Sequence, residues 1–479
     1  MIYTSVNRLL EGVSRVRRFR EKQDLGAADN VTFAGIAFDS RVVRGGELFI
    51  ALKGDTDDGH RFVADALNRG AALALVEREV PEIDPRSLLF ADNSLKAFQD
   101  IASWWRLCCG TPIVAITGSV GKTTIKEMTA RILLETSIGV YSQKSFNNHV
   151  GVPYTLCHLR PEHRWAVVEM GMNHAGEIRT LTNMTRPNSA LIAKIAPAHI
   201  ENFGTLEGIA RAKLEILEGL DSVTGIALLN GSDRVLLEQY EAGLIKLNST
   251  RYFGDLSCIN PSFARVSNVE SRGLQGISFN LTVAPLGATR CIQMPVIGVH
   301  NAMNAAAAVT AAMSIAPDIN FDQIQKGLEG YTSAVMRLEV HNLADGSQVI
   351  DDSYNANPSS MAALIQIAHD LKQSGQRVGL VLGDMLELGD SASQAHQSLG
   401  KTVCDLKPTF VIGCGDYGEF IVKDSKSNGI DVFTASSHEE AARAALERNW
   451  DVLLIKASRS VGLDEVVKKI LSSKGELNG

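Results

Sequence analysis

A three-domain α/β architecture is predicted for this 479-residue chain, and three observations predict it. The length exceeds the roughly 250–300 residues at which a single hydrophobic core stops growing. Short apolar runs alternate with helical patterns along most of the chain, the rhythm of mostly parallel sheets. A glycine-bracketed loop, "AITGSVGKTT" from Ala115 to Thr124, joins one such strand to one such helix. The expected division is a small mixed α/β domain over 1–90, a central mononucleotide-binding domain with a phosphate loop over 91–333, and a Rossmann-like doubly wound domain over 334–479.

In the first block, "VTFAGIAFDSRVVRGGELFIAL" and "GHRFVADALNRGAALALVE" predict short strands around an exposed Asp39-Ser40-Arg41 turn, then a helix and a strand. The second block opens with a helix around Trp104 and the strand "TPIVAIT", followed by strands "WAVVEM", "SALIAKIA" and "GIALLN". Between Tyr252 and Val296, alternating segments such as "GISFNLTV" predict antiparallel strands appended to this sheet, before a helix that begins around His300. The third block predicts strands "QVIDDSY", "RVGLVLG", "TFVIGC", "DVFTA" and "DVLLIKA", each followed by a helix-like segment.

Composition narrows the function classes. Hydrophobic residues at 45% and charged residues at 21% lie in the ordinary globular range, which argues against disordered and fibrous chains. With 47 basic against 54 acidic residues the net charge is -7, giving no broad positive field for nucleic acid or an anionic membrane. The expected partners are small-molecule substrates met by local sites, with no nucleic acid, no membrane insertion, and a monomer as the default state. Seven scattered cysteines with no C-x-x-C pair fit neither a disulfide framework nor a zinc site, and point to a reducing cytoplasm. The longest apolar run, "NAAAAVTAAMSIA" from Asn304, is shorter than the ~20 residues of a membrane span and reads as a buried helix. The start "MIYTSVNRLLEGVSRVRRFREK" lacks the apolar stretch of a secretory signal and reads as an ordinary first helix.

The phosphate loop carries the first chemistry. A strand ends at Thr117, Gly118 and Gly121 bracket a tight turn, and a helix starts near Lys122 with Ile125, Met128, Ile132 and Leu133 at helical spacing. Glycines let backbone N–H groups turn toward phosphate oxygens, the helix N-terminus adds positive partial charge, Lys122 reaches the outer phosphates, and a hydroxyl can hold Mg²⁺. The nucleotide-binding set expected here is Thr117, Gly118, Ser119, Val120, Gly121, Lys122, Thr123 and Thr124. The longest consensus would want glycine where Ile116 stands, so this is the shorter form T-G-x-x-G-K-T.

Such a loop serves switches, motors, kinases and ligases alike, so other residues must name the reaction. No N-K-x-D base-reading element of a guanine-nucleotide switch is present. The strand "WAVVEM" carries Glu169 at its end, either a metal-site carboxylate or a solvated strand-end charge. "APAHIENFGT" puts His199 just after a strand, at the edge where ligands of open α/β sheets collect, although a lone histidine is as often structural. Lys213 of "IARAKLEIL" reads, by periodicity alone, as a surface lysine. "VIDDSYNANPSSM" gathers Asp351, Asp352, Tyr354, Asn355 and Asn357 ahead of a helix opened by Pro358, more polar groups than one helix cap requires.

Taken together, these residues resemble the Mur ligase superfamily, most closely the branch that adds D-alanyl-D-alanine. The likeness runs through "DSRVVRGGELFIALKGDTDDGHRFVADALNRGA", "ITGSVGKTTIKEM", "KSFNNHVGVP", "EMGMNHAGEI", "APAHIENFG", "RAKLEI", "HNAMNAAAA", "DDSYNANPSSM", "LGDMLELG" and "IKASRSVGLDEVV", in that order. The resemblance implies an ATP- and Mg²⁺-dependent ligase of peptidoglycan precursor synthesis. On this likeness ATP would phosphorylate the carboxylate of UDP-N-acetylmuramoyl tripeptide, and the amino group of D-alanyl-D-alanine would attack the acyl phosphate. It assigns catalytic roles to Lys122, Lys213, His199 and Glu169. It places Mg²⁺ on Thr123 and Glu169, with His199 and Lys213, carbamylated by CO₂, completing the metal set. By the same likeness Asn301 meets the adenine side, while Arg337 and Asp352 meet the nucleotide on domain closure. Asp39, Ser40 and Arg41 contact the uridine nucleotide, and Asn147 and Asn148 line the muramoyl path. Tyr354, Asn355, Asn357, Ser458 and Arg459 are the candidates for the incoming dipeptide. The absence of a D-N-P-R element argues against the diaminopimelate-adding relative, and "YTSAVMRLEV" lacks the proline and glycine common before Arg337 in relatives, which bears on the stiffness of a hinge there.

Other readings have distinct marks. Gly413, Gly415 and Gly418 of "VIGCGDYGEF" form a G-x-G-x-x-G after a strand, which would suit NAD, but the following strand "DVFTA" ends without the acid that a ribose requires. A nucleotide-dependent interaction module would release no phosphate in response to peptide substrates. Other ligases of the superfamily, lysine-adding enzymes or folylpolyglutamate synthase, share the later domains, and the last should not need the first block.

Overall fold

Strand Ile113–Thr117 has every residue buried, because helices cover both faces of its sheet. The alternation is strict: Ile113 and Ala115 enter one core with Phe98, Ile101 and Val152, while Val114 and Ile116 enter the other with Ile125, Met128 and the alanines of helix His300–Ile315. Small side chains at Ala305, Ala306, Ala307 and Ala308 are all fully buried, which lets that helix lie close to the sheet and to helix Lys122–Leu134. The computed structural model describes residues 1–18, 31–54, 57–198, 200–243, 245, 247–258, 260 and 262–477.

The central sheet has nine strands. Ile113–Thr117 sits between Ser189–Ile192 and Ala166–Glu169, all parallel, so their carboxyl ends converge on the loop that follows Thr117. The appended region departs from the sequence expectation. Ser249–Gly254 joins parallel to Ile226–Asn230, and Ser262–Ser271 is parallel to it in turn. Only Ile277–Val283 and Ala288–Met294 continue as antiparallel strands. Residue alternation is the same in both pairings, so it reports a half-covered strand and not its direction.

The last block forms a six-stranded sheet. Gln348–Asp351, Val452–Lys456, Val378–Leu382, Phe410–Cys414 and Asp431–Ala435 are parallel in that spatial order, and Glu339–Asn342 adds an antiparallel edge that the sequence reading did not anticipate. The C-terminal strand Val452–Lys456 is inserted between Gln348–Asp351 and Val378–Leu382, the first two parallel strands of the block in chain order, which puts a topological switch point beside Asp351 and Lys456. Helix Pro358–Gln373 starts with Asn357 in a capping box with Ser360 and proline in its first turn.

The first block builds a five-stranded sheet and a small two-stranded one, Tyr3–Ser5 against Thr32–Ala34. Its Ile2, Leu9, Phe33 and Leu48 share a continuous core with helix Ser94–Cys109. The first block is thereby anchored on the central one. Contact with the last block is narrower: Ile297, Ile200 and Leu274 pack into the core around Leu364 and Ile367. Among the described residues no helix is long and apolar enough to cross a membrane, and all seven cysteines are free thiols.

Candidate active site

A cleft of about 980 Å³ is lined on one side by the phosphate loop and on the other by the loop after Asp351. Gly118, Ser119, Val120, Gly121, Lys122, Thr123 and Thr124 all face it. Gly121 has φ 85, a left-handed backbone that glycine adopts without penalty, and a Cβ there would come 2.8 Å from Asn304 Oδ1. The Ser119 N–H donates to the Lys194 carbonyl at 2.7 Å, holding the loop against the next strand end. The Ser119 hydroxyl is buried without a hydrogen-bond partner. An orphan donor inside a ring of backbone amides suits phosphate oxygens. Lys122 Nζ donates to the Gly118 carbonyl at 2.8 Å, folded back on its own loop, and desolvation lowers its pKa against the raising effect of Glu169. Thr117 stands behind the loop instead, fully buried, its hydroxyl donating to the Met170 carbonyl.

Glu169 is fully buried at the end of its strand and also lines the cleft. Oε2 accepts from the Thr123 hydroxyl at 3.0 Å and Oε1 from Asn147 Nδ2 at 2.8 Å. A hydroxyl and a carboxylate oxygen together, at the mouth of a phosphate loop, are the hard oxygen donors that Mg²⁺ selects. The residues present therefore fit that ion.

Lys213 lies in the last turn of helix Leu206–Leu214 at 3% exposure and lines the same cleft. Its ammonium makes no hydrogen bond or ion pair among the described residues. Burial, reinforced by the positive Lys122, pushes its pKa well below the ordinary lysine value. The surface-lysine reading drawn from periodicity fails here, because the helix turns this position toward the site. His199 lies outside the described residues.

On the adenine side proposed from sequence, Asn301 is buried; its Nδ2 donates to the Ile297 carbonyl and its Oδ1 accepts from Asn304. Asn304 was missed in the sequence, although its place one helical turn from Asn301 was a usable signal. From the last block come Arg337, stacked 4.1 Å over the Tyr354 ring, and Asp352, whose Oδ2 accepts from Lys456 Nζ at 2.5 Å. Lys456 also donates to the Asn355 carbonyl, closing the polar loop into a rigid arc. It is 2% exposed, and nothing local marked it out from other strand-end lysines. Asn355 and Asn357 face the cleft too, with Asn357 Oδ1 committed to capping its helix through the Ser360 N–H.

Six other candidates do not line the cleft. Asn148 Oδ1 accepts the Val150 and Gly151 N–H groups and so caps helix Gly151–Cys157. The buried Ser458 accepts the Leu386 N–H, and Arg459 pairs with Asp464 and touches Met336 Sδ. Arg41 lies on the first block and forms a fork with Asp39 at 2.8 Å, which lowers the Asp39 pKa, while Ser40 is buried in the turn between them. That turn is mechanically joined to the cleft. Phe38, one residue before Asp39, meets Tyr154 edge-on at 5.3 Å, and Tyr154 meets Phe146, beside Asn147, at 5.5 Å.

The G-x-G-x-x-G of the last block holds no room for a pyrophosphate. Asp384 accepts the N–H groups of Asp416 and Tyr417 at 2.8 and 2.9 Å, so an internal carboxylate already occupies the anion position, and a Cβ on Gly415 would strike that same carboxylate.

Residues 32–91 match the Mur ligase family catalytic domain, 116–312 the Mur ligase middle domain, and 336–459 the Mur ligase glutamate ligase domain. The UDP-N-acetylmuramoyl-tripeptide--D-alanyl-D-alanine ligase of Bacillus subtilis is 35% identical over 92% of this chain and 93% of its own. The enzyme of the same name from Escherichia coli is 36% identical over 93% and 95%. A crystal structure of MurF from Acinetobacter baumannii superposes with a TM-score of 0.84 at 29% identity, covering 98% of this chain and 99% of that one.

Proposed function

The chain belongs to the Mur ligase family, and from that premise we propose how its own residues join D-alanyl-D-alanine to UDP-N-acetylmuramoyl tripeptide. The reaction is an ATP-dependent, ADP-forming amide ligation of peptidoglycan precursor synthesis. The observation that carries this reading is a single cleft in which a phosphate loop with an orphan Ser119 hydroxyl faces the polar arc Asp352–Asn357 of another domain.

A carboxylate is a poor electrophile, so the tripeptide carboxylate oxygen first attacks the γ-phosphorus of ATP and ADP leaves. The amine of the dipeptide then attacks the acyl carbon, loses a proton, and inorganic phosphate departs from the tetrahedral centre. Backbone amides of the loop, Ser119 and Lys122 bind the phosphates, Lys122 leaving the Gly118 carbonyl to do so. Thr123 and Glu169 would hold Mg²⁺, which when bound would supply positive charge to offset that of the phosphates. Asn147 keeps Glu169 oriented toward that position. Burial lowers the Lys213 pKa and so favours its neutral amine, the form of lysine that adds to CO₂, releasing a proton and leaving an anionic carbamate in the cleft; His199 belongs with this metal set. Asn301 meets the adenine side, while Arg337 and Asp352 reach the nucleotide from the last domain.

Asp39, Ser40 and Arg41 receive the uridine nucleotide, and the Phe38–Tyr154–Phe146 ring contacts connect that turn to the Asn147 loop along the muramoyl path. Tyr354, Asn355 and Asn357 are placed to meet the dipeptide; Asn148, Ser458 and Arg459 support these loops from behind. The domain limits assigned to these roles are 1–90, 91–333 and 334–479. The enzyme works as a cytoplasmic monomer on small-molecule substrates.

The test is phosphate release from ATP and Mg²⁺ with UDP-N-acetylmuramoyl tripeptide, with and without D-alanyl-D-alanine, and mass spectrometry of the product. Release that needs both substrates, with the pentapeptide mass appearing, is the expected result. ATP binding without pentapeptide would overturn the substrate assignment and leave the fold intact.

A further inference from the structure

Lys126 sits one turn beyond the phosphate loop, on helix Lys122–Leu134, with no exposed surface at all. Fully buried lysines are rare, because desolvating an ammonium is costly unless hydrogen bonds and countercharges replace the water. Here Nζ donates to the Ser142 carbonyl at 2.8 Å and the Lys144 carbonyl at 2.7 Å, with Glu127 Oε1 at 2.9 Å. The fourth neighbour, Glu169 Oε2, is 3.9 Å away, beyond hydrogen-bonding distance. The Lys144 backbone is left-handed, φ 47, a conformation a lysine adopts at a cost. Its carbonyl is nonetheless turned in toward Lys126.

The segment held this way leads directly to Asn147. Asn147 donates to Glu169 through its side chain and accepts the Gly171 N–H on its carbonyl at 2.8 Å. The Ser142 hydroxyl in turn accepts the Glu169 N–H. One buried ammonium therefore fastens the phosphate-loop helix to the loop that orients the Glu169 carboxylate and borders the peptide side of the cleft.

We propose that Lys126 is a positioning residue that couples the nucleotide–metal end of the site to the muramoyl-peptide end, by pinning the Ser142–Asn147 loop to the phosphate-loop helix. This rests on the ligase reading for the identity of the peptide substrate, but not for the nucleotide.

The test uses the full chain carrying Lys126→Met, close in length and uncharged, and Lys126→Gln, which keeps a donor for one loop carbonyl. ADP binding is measured by calorimetry with and without Mg²⁺, and KM is measured for each substrate. Mg²⁺-free ADP affinity is expected to stay within about twofold of wild type, while the gain in affinity on adding Mg²⁺ shrinks roughly tenfold, the usual scale for groups that orient a metal ligand. KM for the UDP-muramoyl tripeptide should rise on the same scale with KM for D-alanyl-D-alanine unchanged, and Lys126→Gln should fall between. Charge alone acts oppositely, since an ammonium 3.9 Å from Glu169 opposes a second cation there. Tighter Mg²⁺ binding in Lys126→Met would overturn the proposal, as would equal loss of ADP affinity with and without Mg²⁺, the mark of a merely structural lysine. Absence of ligase activity in the wild type would refute the substrate assignment, while the calorimetric arm would still decide the role of Lys126.

Discussion

Lys456 Nζ and Asp352 Oδ2 stand 2.5 Å apart where the strand order of the last sheet reverses, with side-chain exposures of 3% and 16%. The pair comes from segments about a hundred residues apart in sequence, and it fixes the loop that faces the phosphate loop. Removing Lys456 leaves the partly buried Asp352 carboxylate without its countercharge, which costs on the order of 1–3 kcal/mol. Lys456→Met should lower the melting temperature by several degrees, and Asp352→Asn in the same chain should restore part of it. Additive losses in the double variant would show that the two side chains do not act as a pair.

Lys213 sets stability against function. Its folded pKa lies below the ordinary 10.5, so between the two values the unfolded chain binds more protons and stability rises with pH. In CO₂-free buffer at pH 7, Lys213→Met should therefore melt above the wild type, with the gap closing toward pH 10. The same variant should lose ligase activity by roughly 100-fold, the scale for a lost group of a metal site. A variant that melts at or below wild type at pH 7 would contradict the buried-charge penalty.

Glu169→Gln keeps the acceptor for Thr123 but removes the negative charge. ADP should still bind without Mg²⁺, and the gain in affinity from Mg²⁺ should largely vanish, with turnover down roughly 100-fold. Calorimetry at several Mg²⁺ concentrations checks it directly.

The connection into the last domain runs through Met336 and Leu338, both left-handed with φ 61 and 54. That strain is held in place: the Met336 N–H donates to the Glu339 carboxylate at 2.9 Å and Leu338 is buried. Met336→Gly should relieve about 0.5–1 kcal/mol of it, readable as a small rise in melting temperature. A fall would mean that packing against Arg459 outweighs the backbone term.

NAD should leave the melting curve unchanged, since Asp384 already fills the anion position of the glycine-rich turn. A clear NAD-dependent rise would reopen the dinucleotide reading.

The phosphate loop was legible in sequence because its function is local: consecutive amides, two glycines and a lysine form the site whatever lies elsewhere. Four of the five parallel strands of the last sheet were legible for a similar reason, since apolar runs mark strands covered on both faces, while the half-covered edge strand Asp431–Ala435 was marked by its place in the alternation with helices. The edge strand Glu339–Asn342 was not, being short and only half covered, and the direction of Ser262–Ser271 was not, because alternation is blind to direction.

By itself, then, the sequence determined the α/β class, the nucleotide loop and the family likeness, all of which depend on residues near one another or on motifs in order. Only the tertiary structure decided that Lys213 and Lys126 are interior, that Lys456 serves Asp352, and that Asn148 caps a helix while Asn147 reaches Glu169. Burial and pairing are properties of what the rest of the chain places around a side chain. A lysine on a helix carries no local record of which face the fold will cover.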